Sequence, residues 1–375
     1  VATARSLTLQ FALALLLLAY SASITLAQPK NDWRAQWEET LAAAEKEGEV
    51  TLYGAYRSGV REAVSEFSKA YPKIKFTHVV GSGSELANKV MAEKRANKHL
   101  ADVAVGGSGT MVLVYAKSGV LEPIASAFIL PEVKDPSHLW GKRHHYADGD
   151  GAFVLMGQGD VNNRIGGYNT NLVKPHEVQS WWDVLNPKWK AKIVMTDPRS
   201  RGNIGNWRYV YYNPELGPNY ISRLLNESEV AFSSNERQMM DWLASGKHAI
   251  YVMAKDEDLF LAMKQRLPVD FLESQKETPE LGTGSGHIAL FKNAPHPNAA
   301  KVYINWFLSK EGQTAWQKHT GGNSFRTDIP KDALPNGKAQ VPKEGQKYIF
   351  TSHPQYEDMK PLRQLVDPLL AAKRK

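Results

Sequence analysis

The chain has 375 residues, 46 Lys and Arg against 39 Asp and Glu, a formal net charge of +7 and no cysteine. Absent cysteine excludes a disulfide framework, thiol chemistry and lipid attachment at a leader cysteine. The length allows two domains with a cleft between them, and the basic excess is scattered among acids instead of gathered in one block, which excludes nucleic acid as the expected partner and leaves a general field that favours anions.

In chain order, Arg5 precedes the apolar run Phe11–Ala19, and small residues lead to Thr25-Leu26-Ala27. This pattern predicts a signal peptide over residues 1–27, cut after Ala27, and a monomeric mature protein free in the periplasm. The body then reads as three strand, glycine loop and helix units. Val50, Leu52 and Tyr53 mark a strand, Arg57-Ser58-Gly59 its loop, and Val60, Val64, Phe67 and Tyr71 a helix. Ile74 to Val80, Gly81-Ser82-Gly83-Ser84 and Leu86, Val90 and Met91 repeat the unit. Ala101 to Val105, Gly106-Gly107-Ser108-Gly109 and Met111 onward give the third. Such units predict a parallel sheet with helices on its faces.

Loops at the carboxyl ends of parallel strands present unpaired N–H groups, and their Gly and Ser content suits a carboxylate, phosphate or sulfate. None of the three is a nucleotide fingerprint. A second α/β unit follows, with strands at Ile193–Pro198 and Ala249–Met253, the latter running straight into Asp256-Glu257-Asp258. His287 to Phe291 reads as a strand returning to the first unit, and Asn298 to Lys318 as a long helix. The expected division is a first lobe over 28–160 and 276–330, a second over 161–275, and a surface extension over 331–375. Two crossings between lobes make a hinge that can close a cleft over a ligand.

An ordered set of short stretches then carries a family likeness: Gly48-Glu49-Val50-Thr51-Leu52-Tyr53, Ala101-Asp102-Val103, Gly119 to Pro123, Tyr168-Asn169-Thr170-Asn171, Trp182-Asp183-Val184-Leu185, Pro187 to Lys190, Asp197-Pro198, His296 to Lys301 and Phe307 to Gln313. In order and spacing this resembles the extracellular solute-binding proteins grouped with the ferric-iron receptors of ABC transporters. The resemblance implies a type II-like periplasmic-binding-protein fold: two α/β lobes, each a mainly parallel sheet flanked by helices, joined by a hinge. It also implies capture of a solute for a permease and ATPase complex in the inner membrane. The ferric ligands of that family are not kept: Arg57 falls at or beside the expected His, Gly107 at the Glu, and Asp256-Glu257 at the paired Tyr.

A permanently charged Arg57 repels a metal and suits an acid group, because its planar fork offers several donors. The candidate ligand-binding residues are therefore Tyr56, Arg57 and Ser58 on the first loop, Ser82, Gly83 and Ser84 on the second, and Gly107 and Ser108 on the third. The second lobe adds Tyr168 as a pocket wall, Asp197 and Arg199 after a strand end, and Asp256 and Glu257, which would meet an ammonium group. The expected solute is a small organic anion or zwitterion; ferric ion is the alternative, and no cofactor or resident metal is expected. A secreted hydrolase is the rival from another class, and it lacks a Ser-x-x-Lys, a Gly-x-Ser-x-Gly elbow and a His-Glu-x-x-His. His144-His145 near Asp148 and Asp150 is not taken as a metal site, since adjacent histidines point apart on a strand and the Gly149 and Gly151 spacing reads as a turn. No catalytic residue is assigned.

Overall fold

The structure is a computed structural model that describes residues 32–54, 59–149, 151–199, 205, 207–332 and 341–372. The expected signal peptide and the loop carrying Tyr56, Arg57 and Ser58 lie outside these residues.

Helix α1 (Trp33–Glu47) starts at Asp32, whose side chain accepts from the Arg34 N–H, and stops at Gly48 in the left-handed region at φ +76°. A β-carbon costs energy in that conformation, so glycine ends the helix and turns the chain into β1 (Glu49–Gly54). Helix α2 (Val60–Ala70), strand β2 (Lys75–Val80), helix α3 (Gly83–Arg95) and strand β3 (Val103–Gly106) follow, as the repeated units predict. Strand β1 lies parallel to β2 and to β3. The sheet is completed by β4 (Leu121–Glu122), β5 (Leu155–Met156) and a late strand.

The chain leaves this lobe through β6 (Asp160–Asn162) and enters a second sheet at β7 (Arg164–Asn169). There follow β8 (Ile193–Thr196), α4 (Arg208–Tyr212), α5 (Gly217–Glu227), β9 (Ala231–Ser233), α6 (Glu236–Ala244), β10 (Ile250–Val252), α7 (Asp256–Lys264) and β11 (Val269–Glu273). The order is β11-β7-β10-β8-β9, parallel among β8, β9 and β10 and antiparallel at β7. Gly167 admits α7 against β7, because a β-carbon there would overlap the Leu259 side chain.

Strand β12 (Glu280–Gly282) pairs antiparallel with β6, so the two crossings lie side by side as a ladder. Strand β13 (His287–Phe291) then inserts antiparallel between β3 and β4. It returns to the first lobe as the sequence predicts, but makes that sheet mixed where a mainly parallel one is expected. Helices α8 (Pro297–Leu308) and α9 (Lys310–Thr320) cover it. Its core centres on Phe67, fully buried, with the Tyr303 and Trp306 rings at 5.2 and 5.3 Å. The second core gathers Trp181, Trp189, Trp207 and Tyr220.

The end of the chain departs from the expected surface extension. Beyond the undescribed residues 333–340, Ile349 pairs with the hinge ladder, accepting from Leu281 N at 2.9 Å and donating to Pro279 O at 3.0 Å. The last helix, α10 (Lys360–Ala372), buries Leu362, Val366 and Leu370 in the second core. The polar composition after Pro330 hides this amphipathic helix, whose apolar positions recur four residues apart. The chain therefore passes the hinge a third time. Among the described residues no helix is long and apolar enough to cross a membrane.

Candidate functional site

A cavity of about 330 Å³ opens beside the hinge ladder, within the range typical of small-molecule sites. Its wall is built from the hinge side of the second lobe. Asn162 ends β6, Arg164 begins β7, Arg208 and Tyr209 begin α4, Lys255 precedes and Asp256 begins α7, and Glu280 begins β12. Met253, on the turn before α7, holds φ at +57°, a conformation rare and costly for a residue with a side chain. Its N–H donates to Ile165 O at 2.7 Å, which fixes the turn against β7.

Charge is concentrated on this wall. Arg164 is only 8% exposed, lies 4.0 Å over the Phe271 ring and pairs with Asp256. Arg208 pairs with Glu357 through Nη1 at 3.0 Å. The Nε atoms of both arginines are buried and lack a hydrogen-bond partner among the described residues. A buried donor left unsatisfied costs about 1–3 kcal/mol, and a ligand acid group would remove that cost. Lys255 reaches Glu236 at 2.6 Å. Glu280 accepts from the Thr351 hydroxyl; burial pushes its carboxyl pKa up, opposed by that hydroxyl and the Arg208 charge. The cavity thus offers guanidinium groups for an anion and, at Asp256 and Glu280, carboxyl groups for an amine.

The expected residues divide between this site and others. Asp256 lines the cavity, although as the partner of Arg164; the side chain of its neighbour Glu257 lies outside the described atoms. Ser108 is buried, and its hydroxyl donates to Glu357. Gly83 packs its loop onto the third glycine loop, since a β-carbon there would sit 2.5 Å from Thr110 Oγ1. Gly107 is exposed with open space beside it. Ser84 is exposed, and Ser82 is committed as the cap of α3 in a reciprocal box with Glu85. Tyr168 is not on the cavity wall: it is 5% exposed in the second core, four residues past Arg164, about 13 Å along a strand. Asp197 and Arg199 close on each other at 2.6 Å and stay off the cavity.

Arg164, Arg208, Glu280 and Glu357 were not anticipated. Arg164 carried a usable signal, being the charged residue that opens the first strand after a crossing. His144 and His145 bond to Val133 O and Trp140 O, and Asp148 caps the turn at Ala152 to Val154. Among the described residues no group of three or more His, Asp or Glu is placed to hold a metal.

Comparison with known proteins agrees with this two-lobed frame. A family model described as bacterial extracellular solute-binding protein matches residues 62–343. The chain belongs to that family. An uncharacterized protein of Haemophilus influenzae is 29% identical over 255 residues, 64% of this chain and 66% of that protein, so this chain spans just under two thirds of its length. Among solved structures, a putative extracellular solute-binding protein from Bordetella parapertussis shares the fold with a TM-score of 0.64 at 14% identity, covering 87% of this chain and 98% of that one. Iron-bound HitA from Pseudomonas aeruginosa aligns with a TM-score of 0.56 at 16% identity over 86% and 98% of the two chains. AfuA from Actinobacillus pleuropneumoniae, described with exogenous fructose-6-phosphate bound, aligns at 0.55 and 19% over the same shares.

Proposed function

We propose that this solute-binding protein captures a small organic anion or zwitterion in the cavity at its hinge and delivers it to an inner-membrane permease. The observation that carries the reading is a pair of arginines whose Nε donors are buried and have no hydrogen-bond partner among the described residues. Asp256 and Glu280 on the same wall extend the ligand class to compounds that also bear an amine. Fixed guanidinium charge disfavours bare ferric ion, which wants anionic oxygens around it. The bound sugar phosphate of AfuA is a precedent within the fold for an anionic cargo. The reading puts the mature protein in the periplasm, working as a monomer and without turnover of its ligand. On the first lobe, the third glycine loop, whose Ser108 meets Glu357, is the surface this reading sets opposite the cavity wall.

A thermal-shift screen of amino acids, phosphonates, organic acids, sugar phosphates and ferric salts tests this, because a ligand bound only by the folded state raises its melting temperature. An acidic or zwitterionic compound is expected to give the shift, lost in Arg208→Ala. Stoichiometric ferric binding with no organic response overturns the reading.

A further inference from the structure

Glu357 stands where the two lobes face each other. Its carboxylate accepts from Ser108 Oγ on the third glycine loop and pairs at 3.0 Å with Arg208 Nη1 on α4. Its side chain is only 8% exposed. Gly109 permits the approach, since a β-carbon there would lie 3.1 Å from Glu357 Oε2. An arginine, a hydroxyl donor and a close glycine backbone are the contacts an organic acid or a phosphate would itself use. The carboxylate arrives on a segment belonging to neither sheet. Upstream it is anchored where Ile349 meets the hinge ladder, and downstream where α10 enters the second core. Between these anchors the backbone bonds are local turns, His353 to Phe350, Tyr356 to His353 and Glu357 to Pro354. Tyr212 steadies the segment through the Asp358 carbonyl and the Tyr356 ring at 5.4 Å. Glu357 can therefore withdraw by rearranging one short stretch whose two ends stay fixed.

We propose that Ser108 and Arg208 form a carboxylate- or phosphate-binding subsite, and that Glu357 is its resident occupant, displaced by the acid group of an incoming solute. The inference rests on the reading of the hinge cavity as an anion receptor and names the residue that guards it. A tethered competitor acts at an effective concentration on the order of millimolar. A bare anion with one contact point loses to it, whereas a solute that also reaches Arg164 and Asp256 in the cavity prevails. Glu357 thus filters for ligands that carry an acid group and a second recognition point.

The test titrates inorganic phosphate calorimetrically into wild type, Glu357→Ala and the double variant Glu357→Ala/Arg208→Ala at low ionic strength. Phosphate is expected to bind Glu357→Ala at least tenfold more tightly than wild type, and the double variant is expected to lose that gain. Should Glu357→Ala fail to fold, Glu357→Gln keeps the volume without the charge and must shift affinity in the same direction. Equal phosphate affinity in wild type and the Glu357 variants overturns the proposal and makes Glu357 a structural latch; the receptor reading then stands on the organic-anion screen alone. A gain that persists without Arg208 also overturns it. A tenfold gain together with no organic ligand for wild type supports the subsite while removing the receptor reading.

Discussion

Replacing Arg164 by methionine separates a binding role from a structural one. The substitution removes a guanidinium that is 8% exposed, its position over the Phe271 ring and its pairing with Asp256. Losing a desolvated cation–π contact costs about 1–2 kcal/mol. The ion pair contributes under about 1 kcal/mol, because Asp256 is 41% exposed and solvent screens it. Against these stands relief of about 1–3 kcal/mol, since the buried Nε has no hydrogen-bond partner and methionine leaves no donor to satisfy. Methionine also keeps much of the side-chain volume against Phe271. The contributions nearly cancel, so the unliganded variant should unfold within about 1 kcal/mol of wild type in a urea titration. Binding should suffer more: a charge-assisted hydrogen bond is worth about 1.5–3 kcal/mol, a loss of roughly 10- to 150-fold in affinity. Calorimetry with the best organic anion from the screen reads that loss. A variant that binds as well as wild type but is destabilised by more than about 3 kcal/mol refutes the assignment, and Arg164 is then a core ion pair of the second lobe.

Three further outcomes follow from the packing and the titrating groups. Phe67→Ala should cost about 3–5 kcal/mol in a denaturant titration, since Phe67 is fully buried among Tyr303 and Trp306; a cost below about 1 kcal/mol would place the first core elsewhere. Gly167→Ala should cost about 1–3 kcal/mol by driving a β-carbon into Leu259, and an unchanged melting temperature would mean that α7 can move away from β7. His145 and His287 are each held neutral by burial, their pKa depressed to about 4 from 6.5. The unfolded chain protonates first, so each contributes stability that is complete above pH 6.5 and lost as pH falls toward 4. Each can account for on the order of 3 kcal/mol over that window. His287→Gln should flatten the pH dependence of stability between 6.5 and 5, and an unchanged slope would assign that dependence to other groups.

The strand, loop and helix units of the first lobe were legible because each is specified locally, by strand alternation, a glycine break and helical spacing within about 30 residues. The return of His287 to Phe291 was legible for the same reason, while its antiparallel sense was not, since periodicity reports the faces of a strand and not its direction. The cavity was harder to see. Arg164, Arg208 and Glu280 come from three separate elements, and Glu357 is 249 residues from the serine that meets it. Asp197 and Arg199 were assigned to the site because they follow a strand end, and Tyr168 for its flat amphipathic ring. Only the tertiary fold decides which strand end faces the hinge.

The hinge itself constrains how such a site can close. A two-strand connection can twist and slide, but here β6 and β12 pair along their length and Ile349 adds a third backbone rung beside Glu280. Below the ladder, Gln158 is buried at the junction: it accepts from Trp316 Nε1 at 2.8 Å and donates to Thr283 O at 2.9 Å, while Gly286 and Gly322 leave no room for a β-carbon against it. This network fixes the first-lobe ends of both crossings. Rotation must therefore be absorbed above it, in β6, β12 and the turn into β7, and that is where Asn162, Arg164 and Glu280 line the cavity. A bend at these residues changes the position of Arg164 relative to the first lobe directly. Because the arginine and these strands are contiguous, a solute held at Arg164 as proposed would be coupled to closure of the lobes through two or three residues of backbone.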